Sequence, residues 1–189
     1  MRIVSGNYKG RVLKLPKDLP VRPTTDMARE ALFNILNSNF YIDEMDVLDL
    51  FSGTGAISFE FVSRGANQVI CVEKNALCVD SIKSNSKILD ITNIQVLKTD
   101  VFKFLGSCRR SFDIVFADPP FVLTQEEYEQ IYTQVIEKKL LKENSWLILE
   151  HSKDKDFSHL PYFHEIRKYG KVHFSIFENS IEESEEQSE

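Results

Sequence analysis

The stretch Val47-Leu48-Asp49-Leu50-Phe51-Ser52-Gly53-Thr54-Gly55 decides how this chain folds. A short apolar run passes directly into a glycine turn, and the residues from about 56 to 64 then keep helical spacing. A buried strand that enters a helix through such a turn opens a βαβ unit. It leaves backbone N–H groups and open space for a ligand at the strand's carboxyl end. A dinucleotide fingerprint would place a third glycine three residues after Gly55, but Ser58 stands there. A nucleoside without phosphates needs no such cradle.

Outward from this turn the pattern repeats. Val69-Ile70-Cys71-Val72, Ile94-Gln95-Val96-Leu97, Ile114-Val115-Phe116-Ala117 and Trp146-Leu147-Ile148-Leu149 each suit a buried strand of a parallel sheet. Helices are predicted between them near 76–89, 101–105 and 126–138. Phe163 to Tyr169 and Val172 to Phe177 flank Gly170-Lys171, a pair suited to a tight hairpin, so the sheet is expected to end antiparallel. On the amino-terminal side, residues 3–15 read as a small basic hairpin, with strands around Ile3-Val4 and Arg11 to Leu15 and turn positions at Gly6 and Gly10. Pro20 and Pro23 mark an extended connection. Thr24-Thr25-Asp26 offers capping oxygens to a helix that ends near Asn39.

The chain has 189 residues, of which 42% are hydrophobic, which fits one ordinary globular α/β domain. The expected layout is an extension over 1–40, a main domain over 41–180 and an acidic, disordered tail over 181–189. No apolar run approaches the roughly 18 residues of a membrane span, and the amino terminus lacks a signal-peptide core. A soluble cytoplasmic protein with no membrane association is expected. Cys71, Cys78 and Cys108 show no Cys-x-x-Cys spacing, and the four histidines, His151, His159, His164 and His173, show no ligand spacing, so reduced thiols and no metal are expected. The net charge of −6 hides an uneven distribution. Residues 1–30 carry seven Lys or Arg against three Asp or Glu, whereas the last nine residues carry five Glu.

Three acids stand within or just after the strand runs. Glu73 closes the second run and is placed to accept hydrogen bonds from both hydroxyls of a ribose. Asp49 could bind the amino-acid portion of such a ligand, and Asp100, after the third run, could reach an adenine amine. The fourth run leads into Asp118-Pro119-Pro120-Phe121. Two prolines in succession stiffen the backbone before them and fix where the acceptor oxygens of Asp118 and Pro119 point. An aromatic amine is a poor nucleophile because its lone pair is delocalised into the base. The Asp118 carboxylate and the Pro119 carbonyl can each take one of its N–H groups and stabilise the charge that develops on attack. Phe121 supplies a stacking face for the base.

These segments resemble the RsmD family of bacterial 16S ribosomal RNA guanine-N2 methyltransferases, from Arg2 to about Phe177. Beyond the glycine turn and Asp118-Pro119-Pro120-Phe121, the resemblance rests on Arg2-Ile3-Val4-Ser5-Gly6, Lys9-Gly10-Arg11, Arg22-Pro23-Thr24-Thr25-Asp26, Arg29-Glu30-Ala31-Leu32-Phe33-Asn34, Ser63-Arg64-Gly65-Ala66, Glu150-His151 and Tyr169-Gly170-Lys171. It implies a Rossmann-like class I methyltransferase, with a mainly parallel seven-stranded sheet, an antiparallel carboxyl-terminal hairpin, and an amino-terminal hairpin and helix extension. It implies S-adenosylmethionine as donor and the N2 amine of one guanine in 16S ribosomal RNA as acceptor, on the assembling small subunit; a monomer is expected. Asp49, Gly53, Gly55, Glu73 and Asp100 then become cofactor positions, with Phe51, Lys74 and Val101 beside them. Asp118, Pro119 and Phe121 become the catalytic set, and Lys9, Arg11, Arg22 and Arg29, with Phe121, the RNA contacts. The chain departs from the family pattern at Ser52, commonly alanine, and in its acidic tail. A DNA adenine-N6 methyltransferase shares Asp118-Pro119-Pro120-Phe121, but the chain has no length for a target-recognition domain. A non-catalytic RNA-binding assembly module would not need Glu73, Asp118 and both glycines.

Overall fold

A computed structural model of the chain describes residues 1–15 and 26–180. Its elements are α1 (Asp26–Asn39), β1 (Asp46–Leu50), α2 (Ala56–Ser63), β2 (Gln68–Glu73), α3 (Ala76–Ile88), β3 (Ile94–Lys98), α4 (Val101–Ser107), β4 (Phe112–Ala117), α5 (Gln125–Glu137), β5 (Leu141–His151), β6 (Phe163–Tyr169) and β7 (Val172–Asn179). The strands form one sheet in the order β3-β2-β1-β4-β5-β7-β6, in which only β7 runs against its neighbours. This is the mainly parallel sheet with an antiparallel hairpin that the apolar runs predict. No described helix is long and apolar enough to cross a membrane.

Both faces of the sheet are covered, which is why its strands read as continuous apolar runs. On one face Val47, Val69, Ile114, Phe116 and Ile148 pack with Leu32, Phe33 and Leu36 of α1, Phe59 of α2 and Ile82 of α3. On the other, Leu48, Val72, Val115 and Leu147 pack with Leu105 of α4 and Tyr128, Ile131 and Val135 of α5. β5 starts five residues earlier than its apolar run. The polar segment Lys142-Glu143-Asn144 hides the strand, while Leu141 pairs with Phe112 across a register shift and Lys142 forms an ion pair with Asp113 at 2.8 Å.

The amino-terminal segment differs from expectation in how it is held. It forms a hairpin with a single bridge, Arg2 to Val12, rather than two strands. The reason is competition from side chains. The buried Glu60 carboxylate of α2 accepts from the N–H groups of Val4 and Ser5, each at 2.9 Å, and Asn85 of α3 accepts from Lys14 N–H at 2.8 Å and donates back to its carbonyl at 2.9 Å. Ile3 and Leu13 enter the same core as α1. The expected connection at Pro20 and Pro23, the capping Thr24 and Thr25, the RNA-contact candidate Arg22 and the acidic tail lie outside the described residues.

Gly6 sits where the hairpin meets α2. Its φ is +78°, and a Cβ there would fall 1.8 Å from the Ser63 carbonyl oxygen. Gly6→Ala is therefore expected to lower stability by about 2–4 kcal/mol in urea denaturation, through an overlap with backbone that cannot move aside and an unfavourable left-handed residue.

Candidate functional site

The strand register gathers the candidate acids at one end of the sheet. Asp49 of β1 lies opposite Cys71 of β2 and Phe116 of β4, and Phe116 lies opposite Ile148 of β5. Side chains alternate along a strand, so two residues further on the same face is presented again. Those positions are Glu73, Asp118 and Glu150, and Asp49 lies one step beneath them. The sheet order reverses between β1 and β4, so this level opens at the switch point where α/β sheets hold ligands.

The glycine turn occupies the gap above β1. Phe51 takes φ +61°, an unfavourable conformation for a residue with a side chain. Gly55, at φ +78°, lets α3 approach, since a Cβ would meet Ile82 at 2.9 Å. At Gly53 a Cβ would meet nothing closer than the Phe51 carbonyl at 3.8 Å, which leaves open space beside the backbone. Buried Glu73 fastens this turn: its carboxylate accepts from Gly53 N–H at 2.8 Å and from Asn75 N–H at 2.7 Å. Each carboxylate oxygen keeps acceptor capacity for a further donor. Ser52 donates to the Asp49 carbonyl at 2.7 Å, so the departure from alanine ties the turn to β1.

The other expected cofactor residues are spread around this turn. Asp49 is only 1% exposed and accepts from the Ser58 hydroxyl, so it supports the turn from beneath. Burial pushes its carboxyl up to about 7; the Ser58 hydrogen bond opposes this, and the charges of Asp118 and Glu73 add to it. Asp100 is exposed and caps α4, accepting from Phe102 N–H at 3.0 Å and Lys103 N–H at 3.2 Å. Val101 is buried and Lys74 exposed.

Asp118 follows β4 directly, and its N–H points to the Leu50 carbonyl at 3.4 Å, which joins the two halves of the site. Pro119 is buried, and its carbonyl accepts from the Tyr128 hydroxyl at 3.2 Å. Tyr128 is itself buried and stacks on Phe157. Burial, with the charges of Asp118 and Glu150, raises its pKa, so the hydroxyl stays a donor. Leu123 N–H donates to the Pro120 carbonyl at 2.9 Å, and a Thr124–Glu127 capping box starts α5 at once, so the loop is short and pinned. Phe121 is 52% exposed. Tyr128 carries no sequence signal for the site, because its ring falls among the buried inner-face positions of α5 with Ile131 and Val135. Glu150 belongs to the Glu150-His151 segment. Its signal is that it closes the fifth apolar run as Glu73 closes the second.

The extension lies beside the turn, where the Thr54 hydroxyl donates to Met1 Sδ at 3.6 Å. Lys9 and Arg11 are exposed. Arg29 corrects an expectation: it is 1% exposed, and its guanidinium bonds the Arg2 carbonyl at 3.1 Å and Asp26 at 2.9 Å. It fastens the hairpin to α1 and presents no charge to a phosphate.

The sheet order and its pairing define a class I methyltransferase, the S-adenosylmethionine-dependent class. The chain belongs to the RsmD family: residues 1–178 match the family described as Conserved hypothetical protein 95. It is 33% identical over 183 residues to the Ribosomal RNA small subunit methyltransferase D of Buchnera aphidicola subsp. Baizongia pistaciae, covering 95% of this chain and 92% of that one. Among solved structures, the hypothetical protein TTHA0928 of Thermus thermophilus superposes with a TM-score of 0.81 at 27% identity, over 94% of this chain and 99% of that one. SMU.776 in complex with SAH shares the fold, with a TM-score of 0.61 at 20% identity, over 80% of this chain and 48% of that one.

The raised Asp49 pKa makes a signed prediction. Between the ordinary value of 3.8 and about 7 the folded chain keeps a proton that the unfolded chain has lost, so Asp49 lowers stability as pH rises through that window. Asparagine mimics the protonated acid. Asp49→Asn should match the wild type near pH 4 and exceed it near pH 8 by on the order of a few kcal/mol in urea titrations.

Proposed function

We propose that this protein transfers the methyl group of S-adenosylmethionine to the N2 amine of one guanine in the 16S ribosomal RNA of the small ribosomal subunit. The observation that carries the reading is the acceptor pair at the end of β4, Asp118 beside a Pro119 carbonyl held by Tyr128. The glycine turn fits an adenosyl group, because Gly53 leaves open space beside a Glu73 carboxylate already fixed by two N–H donors. When bound, S-adenosylmethionine supplies an electrophilic methyl group on a positively charged sulfur.

Glu73 would accept from the ribose hydroxyls, and Asp100 from the adenine amine with the oxygen its helix leaves over. Phe51, Gly53, Gly55, Lys74 and Val101 line the turn and the neighbouring strand ends, and Asp49 holds the turn toward the amino-acid portion. Asp118 and the Pro119 carbonyl orient the target amine and stabilise the positive charge it gains during attack. Phe121 stacks on the unstacked base. Lys9 and Arg11, with Arg22, contact RNA phosphates from the extension spanning residues 1–40, which makes binding fall as salt rises. The reading places a monomeric enzyme in the cytoplasm, working on the assembling subunit without a metal.

The test is transfer of labelled methyl to small subunits, or to their RNA, from a strain lacking this protein, followed by nucleoside analysis. N2-methylguanosine at one position is expected; N6-methyladenine formed in a parallel DNA reaction would overturn the assignment. Asp118→Ala should lower kcat by two to three orders of magnitude while cofactor affinity stays within a few-fold, since its partner is the substrate amine. Glu73→Ala should act first on cofactor binding, weakening it roughly 10- to 100-fold by calorimetry, because the turn loses its fastening as well as its ribose acceptor. Tyr128→Phe frees the Pro119 carbonyl to turn, and about a tenfold drop in kcat at unchanged cofactor affinity is expected in the same assay.

A further inference from the structure

Glu150 has no part in the chemistry so far, yet it occupies the level of the site on the strand next to Asp118. It is 3% exposed, and its Oε2 is buried without a hydrogen-bond partner among the described residues. A buried polar oxygen left unpaired costs about 1–3 kcal/mol, so its place in a site calls for a ligand. Ala117 of β4 pairs with Leu149 of β5, which sets Asp118 and Glu150 side by side. Burial, and then the neighbouring Asp118 charge, raises the Glu150 pKa, so its carboxyl keeps a proton at neutral pH. A protonated carboxyl carries one donor and one acceptor two bonds apart.

A guanine edge matches that pair. Beyond the N2 amine come N1–H, a donor, and then O6, an acceptor. Adenine and cytosine instead present a bare ring nitrogen next to their amines. We propose that Glu150 reads the target base, its carbonyl oxygen accepting from guanine N1–H and its hydroxyl donating to O6, while Asp118 and Pro119 hold the amine. This assignment rests on the guanine reading above and extends it: two adjacent strands divide the work, β4 orienting the reacting group and β5 selecting the base.

The test compares full-length wild type, Glu150→Gln and Glu150→Leu on small-subunit RNA carrying either guanine or 1-methylguanine at the methylated position. 1-Methylguanine keeps the N2 amine and O6 but replaces the N1–H donor by a methyl group, which neither oxygen of a carboxyl can pair with. Glutamine keeps one acceptor and one donor, so Glu150→Gln should stay within about threefold of wild type in kcat/KM. Glu150→Leu should lose roughly 10- to 100-fold, the range for one bidentate base contact, with cofactor affinity unchanged and a Tm no lower than wild type. Wild type should prefer guanine by a similar factor, and the leucine variant by less than threefold. Activity of Glu150→Leu within twofold of wild type, or a glutamine variant as impaired as the leucine one, overturns the proposal. Should Glu150→Leu not fold, wild type that accepts 1-methylguanine as readily as guanine overturns it equally. The two readings separate in the wild-type product: N2-methylguanosine with an indifferent Glu150 removes only the base reader, whereas no N2-methylguanosine removes the guanine assignment and the Glu150 pair with it.

Discussion

The pairing of β1 with β4 is the constraint on which the rest depends. These strands belong to different halves of the chain, with α2, β2, α3, β3 and α4 between them in sequence, and the sheet order places them side by side. Because their register sets Leu50 opposite Ala117, the glycine turn and Asp118 leave the sheet at the same height. A shift of one residue would send Asp118 to the α5 side and leave Asp49 facing a different neighbour. The apolar residues buried on both faces make such a shift expensive, so the core sets the relative position of the glycine turn and Asp118.

That position gathers negative charge. Glu73, Asp49, Asp118 and Glu150 stand on one face of four adjacent strands, and two of them are driven upward in pKa by burial. The strands solve the crowding differently. Glu73 receives two backbone N–H donors, Asp49 a serine hydroxyl, and Glu150 keeps its proton. The result is one surface with distinct hydrogen-bonding characters at successive strand ends, which a ligand with a nucleoside on one side and a planar base on the other can match.

Much of this was legible in the sequence. The five apolar runs, the closing hairpin at Gly170-Lys171 and the helix starts appear where the spacing puts them, because a strand covered on both faces must be apolar throughout. The beginning of β5 was not legible, since Glu143 and Asn144 are exposed there and Lys142 takes its partner, Asp113, from β4. Nor was the state of Arg29: a basic residue in a basic stretch reads as surface, and only tertiary packing shows it turned inward onto Arg2 and Asp26. Glu60 and Asn85 carry no motif, and Ser63 only one of resemblance, although all three hold the hairpin's main chain.

The way those three residues grip the hairpin has a consequence for variation. Glu60 holds the N–H groups of Val4 and Ser5, Ser63 the N–H of Tyr8, and Asn85 both polar groups of Lys14, so every grip is on main chain. A clamp on backbone is indifferent to the side chains threaded through it. Exposed positions such as Lys9, Arg11 and Val12 can therefore be exchanged by design, to give the hairpin a different outer surface, while the mount stays as it is.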